Sequence, residues 1–419
     1  MVMKIFLAIV LSIMIPSYLN AFMTESYYAS ELFNETESAY VEQFYKASDN
    51  DDTEAIQRAF DSGIPKILFK NKEYFISRPL IMNRYHILEG VGRDSGGGTR
   101  IVAKKGFSAL ASASIPLARY GIRTPKAMVI IRNNSIEMSH LCFEGGKNAE
   151  SLYADYGLVA IPENSNPSQT LYGLRLCDIG VSFCKETGVD LSVFMCTLDR
   201  VTVRYCGIGF SIHGIEYTDN KKGTFYVPGT TMLLSQCYAR SCYMAGYDIA
   251  NMNYSLLQCC AADDCGLTNA LMNLRDRTMT NGYGYAYAYR LYVCNNLSIS
   301  SCGSEGCFYN MFIALCQHIR VETFREYNPN LTAWTMEGNS TSIVQSQYVT
   351  FDNCHFEGEA HFHKGNEELK KKIMAIYPHS SSVVLRQCSI TKRGRRSVID
   401  NLTKDNIETY DIDILRIDP

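Results

Sequence analysis

Apolar residues flanking one variable centre recur along the middle of the chain, as "VDL" at 189–191, "FSI" at 210–212 and "YDI" at 247–249, and more weakly as "ALM" at 270–272 and "FIA" at 312–314. Such alternation predicts short β-strands with two side chains turned into a core and the central one turned out. The runs "LSISSC", "YVTFDNC" and "SVVLRQC" predict further strands, each ending on a cysteine. Only short polar turns separate them, and no helical period runs through this region.

The cysteines put these strands in register. Cys184, Cys206, Cys242, Cys265 and Cys307 lie 22, 36, 23 and 42 residues apart, a unit near 22 to 23 with two insertions. Five residues before each stand Ile179, Val201, Cys237, Cys260 and Cys302, all apolar or cysteine, so both columns read as interior positions. A unit of about 22 residues with several strands is too short for a propeller blade and fits one coil of a parallel β-solenoid. Stacked coils turn a cysteine column into a ladder of small buried side chains. Disulfides between some pairs remain an alternative, with Cys259 beside Cys260 in a different environment. Zinc fits poorly, because the four-residue spacing comes without histidines.

At the N-terminus Lys4 precedes the apolar run "IFLAIVLSIMI", followed by Pro16 and Ala21. This pattern predicts a signal peptide over 1–21, a leader over 22–48 and a secreted or periplasmic protein. An uncleaved anchor is the alternative, although a run of about 11 residues falls short of the ~20 that span a bilayer. The formal charge of −3 carries no broad basic field and argues against nucleic acid as a partner. No membrane partner is expected after cleavage.

From Asp49 the chain reads "DNDDTEAIQRAFDSGIPKILF". Asp51 is an N-cap with Glu54 three residues on, Ile56, Ala59 and Phe60 form one apolar face, and Gly63 stops the helix. The short apolar strands "KILF", "YFIS" and "HILEGVG" follow. Asp51, Asp52, Thr53, Ala55, Ile56 and Gln57, then Tyr74, Ile76, Pro79 and Leu80, then Gly90 and Gly92, resemble the opening of the pectate-lyase-like right-handed β-helix superfamily over about 55 residues. One departure is that Lys70, Asn71 and Lys72 stand where a proline and a glycine are usual. The resemblance implies an all-β, right-handed parallel β-helix with an N-terminal capping helix, here over 49–390 with a tail or cap over 391–419. It also implies a group of extracellular polysaccharide lyases, glycoside hydrolases, epimerases and phage tailspikes, and so a polysaccharide partner.

Glycan cleavage needs an acid with a base or nucleophile, and lyase chemistry needs a proton acceptor beside a neutralised uronate. The strand alignment sets Asp190, Ser211 and Asp248 at outward centres, with the two aspartates two strand spacings, roughly 9 to 10 Å, apart. That is near the upper end of the inverting range of about 6.5 to 9.5 Å. Asp190, Asp248 and His213, two residues beyond Ser211, are the catalytic candidates, with solvated outer residues as the plain alternative. Insertions at 214–229 and 275–292 supply Tyr283, Tyr285 and Tyr287 for sugar stacking and Arg275, Arg277 and Arg290 for acidic groups. The strict alternation of Tyr283, Tyr285, Tyr287 and Tyr289 also fits a plain strand with one aromatic face. Asp263 and Asp264 read as a coil turn, and His355, His361 and His363 as a weak metal candidate. No cofactor is called for, although a calcium ion would be possible in a lyase. A monomer or a homotrimer is expected. The leading expectation is an exported lyase or glycoside hydrolase on an acidic glycan. The alternatives are a non-catalytic β-helix that guides a surface polysaccharide in capsule or exopolysaccharide assembly, and a phage tailspike.

Overall fold

Strands of two to eight residues, joined in many places by corners of a single residue, wind the chain into stacked coils. The computed structural model describes residues 37–93, 97–110, 115–117, 121–123, 125–162, 170–219, 223–266, 287–307, 309–327, 339–357, 372–377, 379–392, 399–401, 408–410 and 413–416. Signal and leader therefore lie largely outside the described residues.

The corners explain the sequence rhythm. His140, Asp178, Arg200, Gln236 and Cys259 occupy one corner of five successive coils with φ between 51 and 57°. Phe183, Tyr205, Ser241 and Asp264 occupy another, with φ between 51 and 57°. A left-handed residue bends the strand sharply without a loop, at a cost of roughly 1–2 kcal/mol for a non-glycine. Stacking offsets this cost, because each corner amide still bonds the next coil, as Gln236 N–H does to the Gln258 carbonyl at 3.0 Å.

The residue after each corner points into the core, and this is where the cysteines stand: Cys237, Cys260 and Cys302 in one column, Cys184, Cys206, Cys242, Cys265 and Cys307 in the other. All sixteen cysteines are free thiols. They do more than fill space. The amide of Cys260 donates to Cys302 Sγ (3.3 Å) and that of Cys265 to Cys307 Sγ (3.4 Å), while the thiols donate onward to carbonyls such as Leu257 and Ala262. In a third column Cys294 and Cys316 are continued by Ser346 and Ser380, whose hydroxyls accept from the preceding rung in the same way. The corner leaves one amide without a ladder partner, and a small side chain with a polar tip satisfies it.

The pairing between coils is parallel and falls into two long sheets, of eleven and twenty-four strands among the described residues. The pairs Ser182↔Arg204, Arg204↔Arg240, Arg240↔Asp263 and Asp263↔Glu305 reproduce the cysteine intervals. Two alignments need correction. The strand stacked on "YDI" is Tyr287–Tyr292, with Arg290 opposite Asp248, whereas "ALM" lies outside the described residues. In the next coil Phe312, not Ile313, is the outward centre, so that strand is read one residue earlier, as "MFI". Parallel pairing extends from Ser38–Tyr40 on Lys66–Leu68 to Asp413–Arg416 on Ser389–Lys392.

Inside, Phe210, Tyr247 and Tyr289 stack ring on ring at 4.9 and 4.8 Å. The hydroxyls of Tyr247 and Tyr289 reach carbonyls of neighbouring corners, including Cys237 and Cys260, so two wholly buried phenols keep their hydrogen bonds. Gly209 permits the close approach of coils beside them, since a Cβ there would lie 2.5 Å from the Gly246 carbonyl. The helix Asp52–Asp61 starts at Asp51, whose side chain accepts from Thr53 N–H. Its apolar face packs into the core, and its polar residues meet strand backbone: Thr53 Oγ1 accepts from Ser77 N–H (2.9 Å), and Gln57 exchanges two bonds with Ile81. Thr53 and Gln57, two of the residues that carry the superfamily resemblance, thus bond the backbone of the strands that follow the helix.

Candidate active face

Four stacked strands of the eleven-stranded sheet carry the candidate residues: β1 (Thr187–Leu191), β2 (Ile208–His213), β3 (Ala245–Ala250) and β4 (Tyr287–Tyr292). Their register aligns Asp190, Ser211, Asp248 and Arg290 in one outward column. The column changes character along its length. Before Asp190 it holds Ile81, Ile130 and Val159, which with Ala127, Tyr156 and Ile161 form an apolar cluster separate from the core. After Arg290 come Phe312 and Ser342. Four consecutive polar rungs thus stand between the apolar Val159 and Phe312. The long connections at 104–126, 145–155, 214–228, 264–286, 328–338 and 358–371 each begin or end on a strand of this sheet, whereas corners inside the larger sheet are single residues.

His213 turns back to Asp190. Its Nδ1 lies 2.9 Å from the Gly214 carbonyl, which can only accept, so Nδ1 carries a hydrogen. Its Nε2 lies 3.1 Å from Asp190 Oδ1, and that bond needs a proton too, on the imidazole or on the carboxyl. Asp248 is paired differently, with Arg290 Nη1 at 2.7 Å from its Oδ1 and both side chains enclosed, 0% and 5% exposed. A guanidinium stays charged, so it holds Asp248 as a carboxylate. The Arg290 guanidinium also sits 5.2 Å from the Tyr292 ring centroid.

Of the expected sugar-binding residues, Tyr283, Tyr285, Arg275 and Arg277 lie outside the described residues. Arg290 joins the column as an ion-pair partner. Tyr287 and Tyr289 do not share a face, contrary to the alternation: Tyr289 is in the core, whereas Tyr287 turns outward to Ser342 Oγ (3.5 Å) and stacks on Tyr309 at 4.9 Å. The reason is that Ala288 also faces inward, which breaks the two-residue period between them. The aromatic neighbours Tyr292, Tyr309 and Phe312 were not singled out from sequence, yet the 42-residue offset of Cys265 and Cys307 already maps Asp248 onto Arg290. Asp264 is a coil corner with φ 51°, and burial, with Asp263 beside it, raises its carboxyl. His355 bonds Ser389 Oγ at 2.8 Å, and His361 and His363 lie outside the described residues. Among the described residues no three His, Cys, Asp or Glu side chains converge as a cation site.

Among solved structures the chain is similar to an Acinetobacter phage tailspike (TM-score 0.57, 14% identity, 91% of this chain and 63% of that one). It is similar also to DFA-IIIase from Arthrobacter chlorophenolicus (0.59, 11%, 89% and 94%) and to the catalytic unit of an α-1,3-glucanase from Streptomyces thermodiastaticus (0.50, 10%, 90% and 69%). The chain is a right-handed parallel β-helix. At these identities the likeness is one of fold, and the β-helix spans less than two thirds of the tailspike's length. No family model matches the chain, and no curated protein matches it.

Proposed function

We propose that this β-helix is an exported protein acting on an acidic polysaccharide, as a glycoside hydrolase or lyase, with the outer face of β1–β4 as its active face. The observation that supports it is the pair of unlike carboxylates on one column, Asp190 hydrogen-bonded to the His213 imidazole and Asp248 ion-paired with Arg290. Two carboxylates in such different environments, one against an imidazole and one against a guanidinium, are what an acid and a base require. The Asp190–His213 pair would protonate the leaving oxygen, and Asp248, two strand spacings or roughly 9 to 10 Å away, would activate water. This arrangement favours inverting hydrolysis; a lyase would instead set Arg290 against the uronate carboxylate. The helix Asp52–Asp61 serves as the N-terminal cap in this reading.

A second reading, a non-catalytic β-helix that binds or guides a surface polysaccharide, is favoured by the burial of Asp190, Ser211, His213, Asp248 and Arg290. One experiment separates the two. Mature protein is incubated with a panel of acidic glycans, following ultraviolet absorbance for unsaturated uronate and reducing ends for hydrolysis. The enzyme reading expects reducing ends to appear and Asp190→Asn to slow them by about 10²–10⁴-fold with folding unchanged. Glycan binding with neither product, or full turnover in Asp190→Asn, removes the active-face assignment.

A further inference from the structure

A second site lies on the larger sheet. Three of its strands, Glu137–Glu144, Arg175–Ser182 and Thr202–Arg204, align Cys142, Gly180 and Thr202 in one column and Glu144, Ser182 and Arg204 in the next. The middle rung carries only Gly180, over which the Arg93 carbonyl packs closely, and the short Ser182, between two rungs with longer side chains. The result is a cleft of about 160 Å³. Phe183 and Tyr205, two successive corner residues, wall one side with rings stacked at 5.2 Å and 3° apart in tilt. Arg93 forms another edge, tied to Asp178 at 3.2 Å and to the Arg200 carbonyl.

The charges at the two ends differ in how they are matched. Glu144 is buried and receives Arg100 on both oxygens, Nε on Oε1 at 3.0 Å and Nη2 on Oε2. Arg204 stands two rungs away, roughly 9 to 10 Å, out of reach of that carboxylate, and has no ion-pair partner among the described residues. Burial, with Glu144 beside it, pushes the Cys142 thiol up to about 12, so it adds no negative charge to the cleft. A cation at one end, hydroxyls of Ser182 and Thr202 between, an acceptor carboxylate at the other and an aromatic wall form the donor set for a polyhydroxylated ring bearing one acidic group. The volume, below the ~300–1,000 Å³ of pockets for drug-sized ligands, suits one sugar residue and not a chain.

We propose that this cleft binds a single uronic acid residue, with its carboxylate on Arg204, its hydroxyls on Glu144, Ser182 and Thr202, and its ring against Phe183 and Tyr205. The choice of a sugar rests on the function proposed above, whereas the choice of an acidic ligand rests on Arg204 itself. Because the cleft lies on the other sheet, it would hold a branch or a distant residue of the polymer while β1–β4 engage the bond to be broken.

The test is a calorimetric titration of the full chain with galacturonate, galactose and inorganic sulfate. Galacturonate is expected to bind saturably and galactose not to bind. Arg204→Gln and, separately, Ser182→Leu, which fills the empty rung, are each expected to weaken galacturonate at least tenfold with circular dichroism unchanged. Galacturonate binding unaltered in both variants places the ligand elsewhere and overturns the proposal. Sulfate binding as tightly as galacturonate also overturns it, since the cleft would then read charge alone. Glycan turnover followed in parallel keeps the two assignments apart: full turnover in Asp190→Asn removes the active face and leaves the titration untouched, and unaltered galacturonate binding in Arg204→Gln removes the cleft alone.

Discussion

Replacing Arg290 by methionine takes the guanidinium from a carboxylate that has no exposure to water. At 2.7 Å and an effective dielectric constant of about 20, the attraction between Arg290 and Asp248 is about 6 kcal/mol. Relief from burying the arginine returns part of this, and breaking enclosed pairs of this kind generally costs about 3–5 kcal/mol. The loss should depend on pH. Without its cation, enclosed Asp248 has a folded-state pKa raised above the unfolded value of about 3.9. A group raised on folding contributes stability below its unfolded pKa and loses it as pH rises through the folded one, so Arg290→Met is hurt most at pH 7 and least near pH 4. Urea denaturation at both pH values, followed by circular dichroism, measures this. The double variant Asp248→Leu with Arg290→Met, which leaves no charge behind, should recover most of the loss. A single variant within about 0.5 kcal/mol of the parent at pH 7, or an equal penalty at both pH values, refutes the reasoning.

Two further outcomes follow from the fold. Cys302→Val leaves the Cys260 amide without its acceptor and should cost about 1–3 kcal/mol in chemical denaturation. Cys302→Ser keeps an acceptor, as Ser346 and Ser380 do elsewhere, and should cost less; the reverse order would show that the column is only packing. Asp51→Ala should cost about 1 kcal/mol at pH 7 through loss of the helix cap. Burial alone would raise the Asp51 carboxyl, but hydrogen bonds from Thr53 and Ser77, with Lys104, hold it below its ordinary value. Its contribution is therefore present above the unfolded pKa and lost as pH falls through the folded one, so parent and variant melting temperatures should converge in acid. A gap that persists there contradicts the assignment.

Much of the β-helix was legible in sequence because stacking forces equivalent residues to repeat at nearly equal offsets. The Cys184 to Cys307 intervals mark the coils, and the same offsets carry Asp248 onto Arg290 and Arg290 onto Phe312. What hid the step from Asp248 to Arg290 was the insertion before β4, which "ALM" and the tyrosine alternation bridged by local pattern. Tyr287 and Tyr289 are two residues apart and still face opposite ways, since Ala288 enters the core as well. Local periodicity cannot register such a shift. The corner role of the cysteines was equally invisible, because nothing in "CYARSC" announces that Ser241 adopts a left-handed conformation.

By itself the sequence determined the rungs: which positions repeat, which turn inward, and that Asp190, Ser211 and Asp248 would share a column. These are consequences of chain spacing and hydrophobic period, and they are local or nearly so. Only the tertiary structure decided the partners. It set His213 against Asp190, Arg290 against Asp248, and the small rung of Gly180 and Ser182 between Glu144 and Arg204. Those relations arise from side chains in different coils meeting across a strand spacing in a low-dielectric setting. There, distance and burial, which the linear order does not contain, determine which charges are matched.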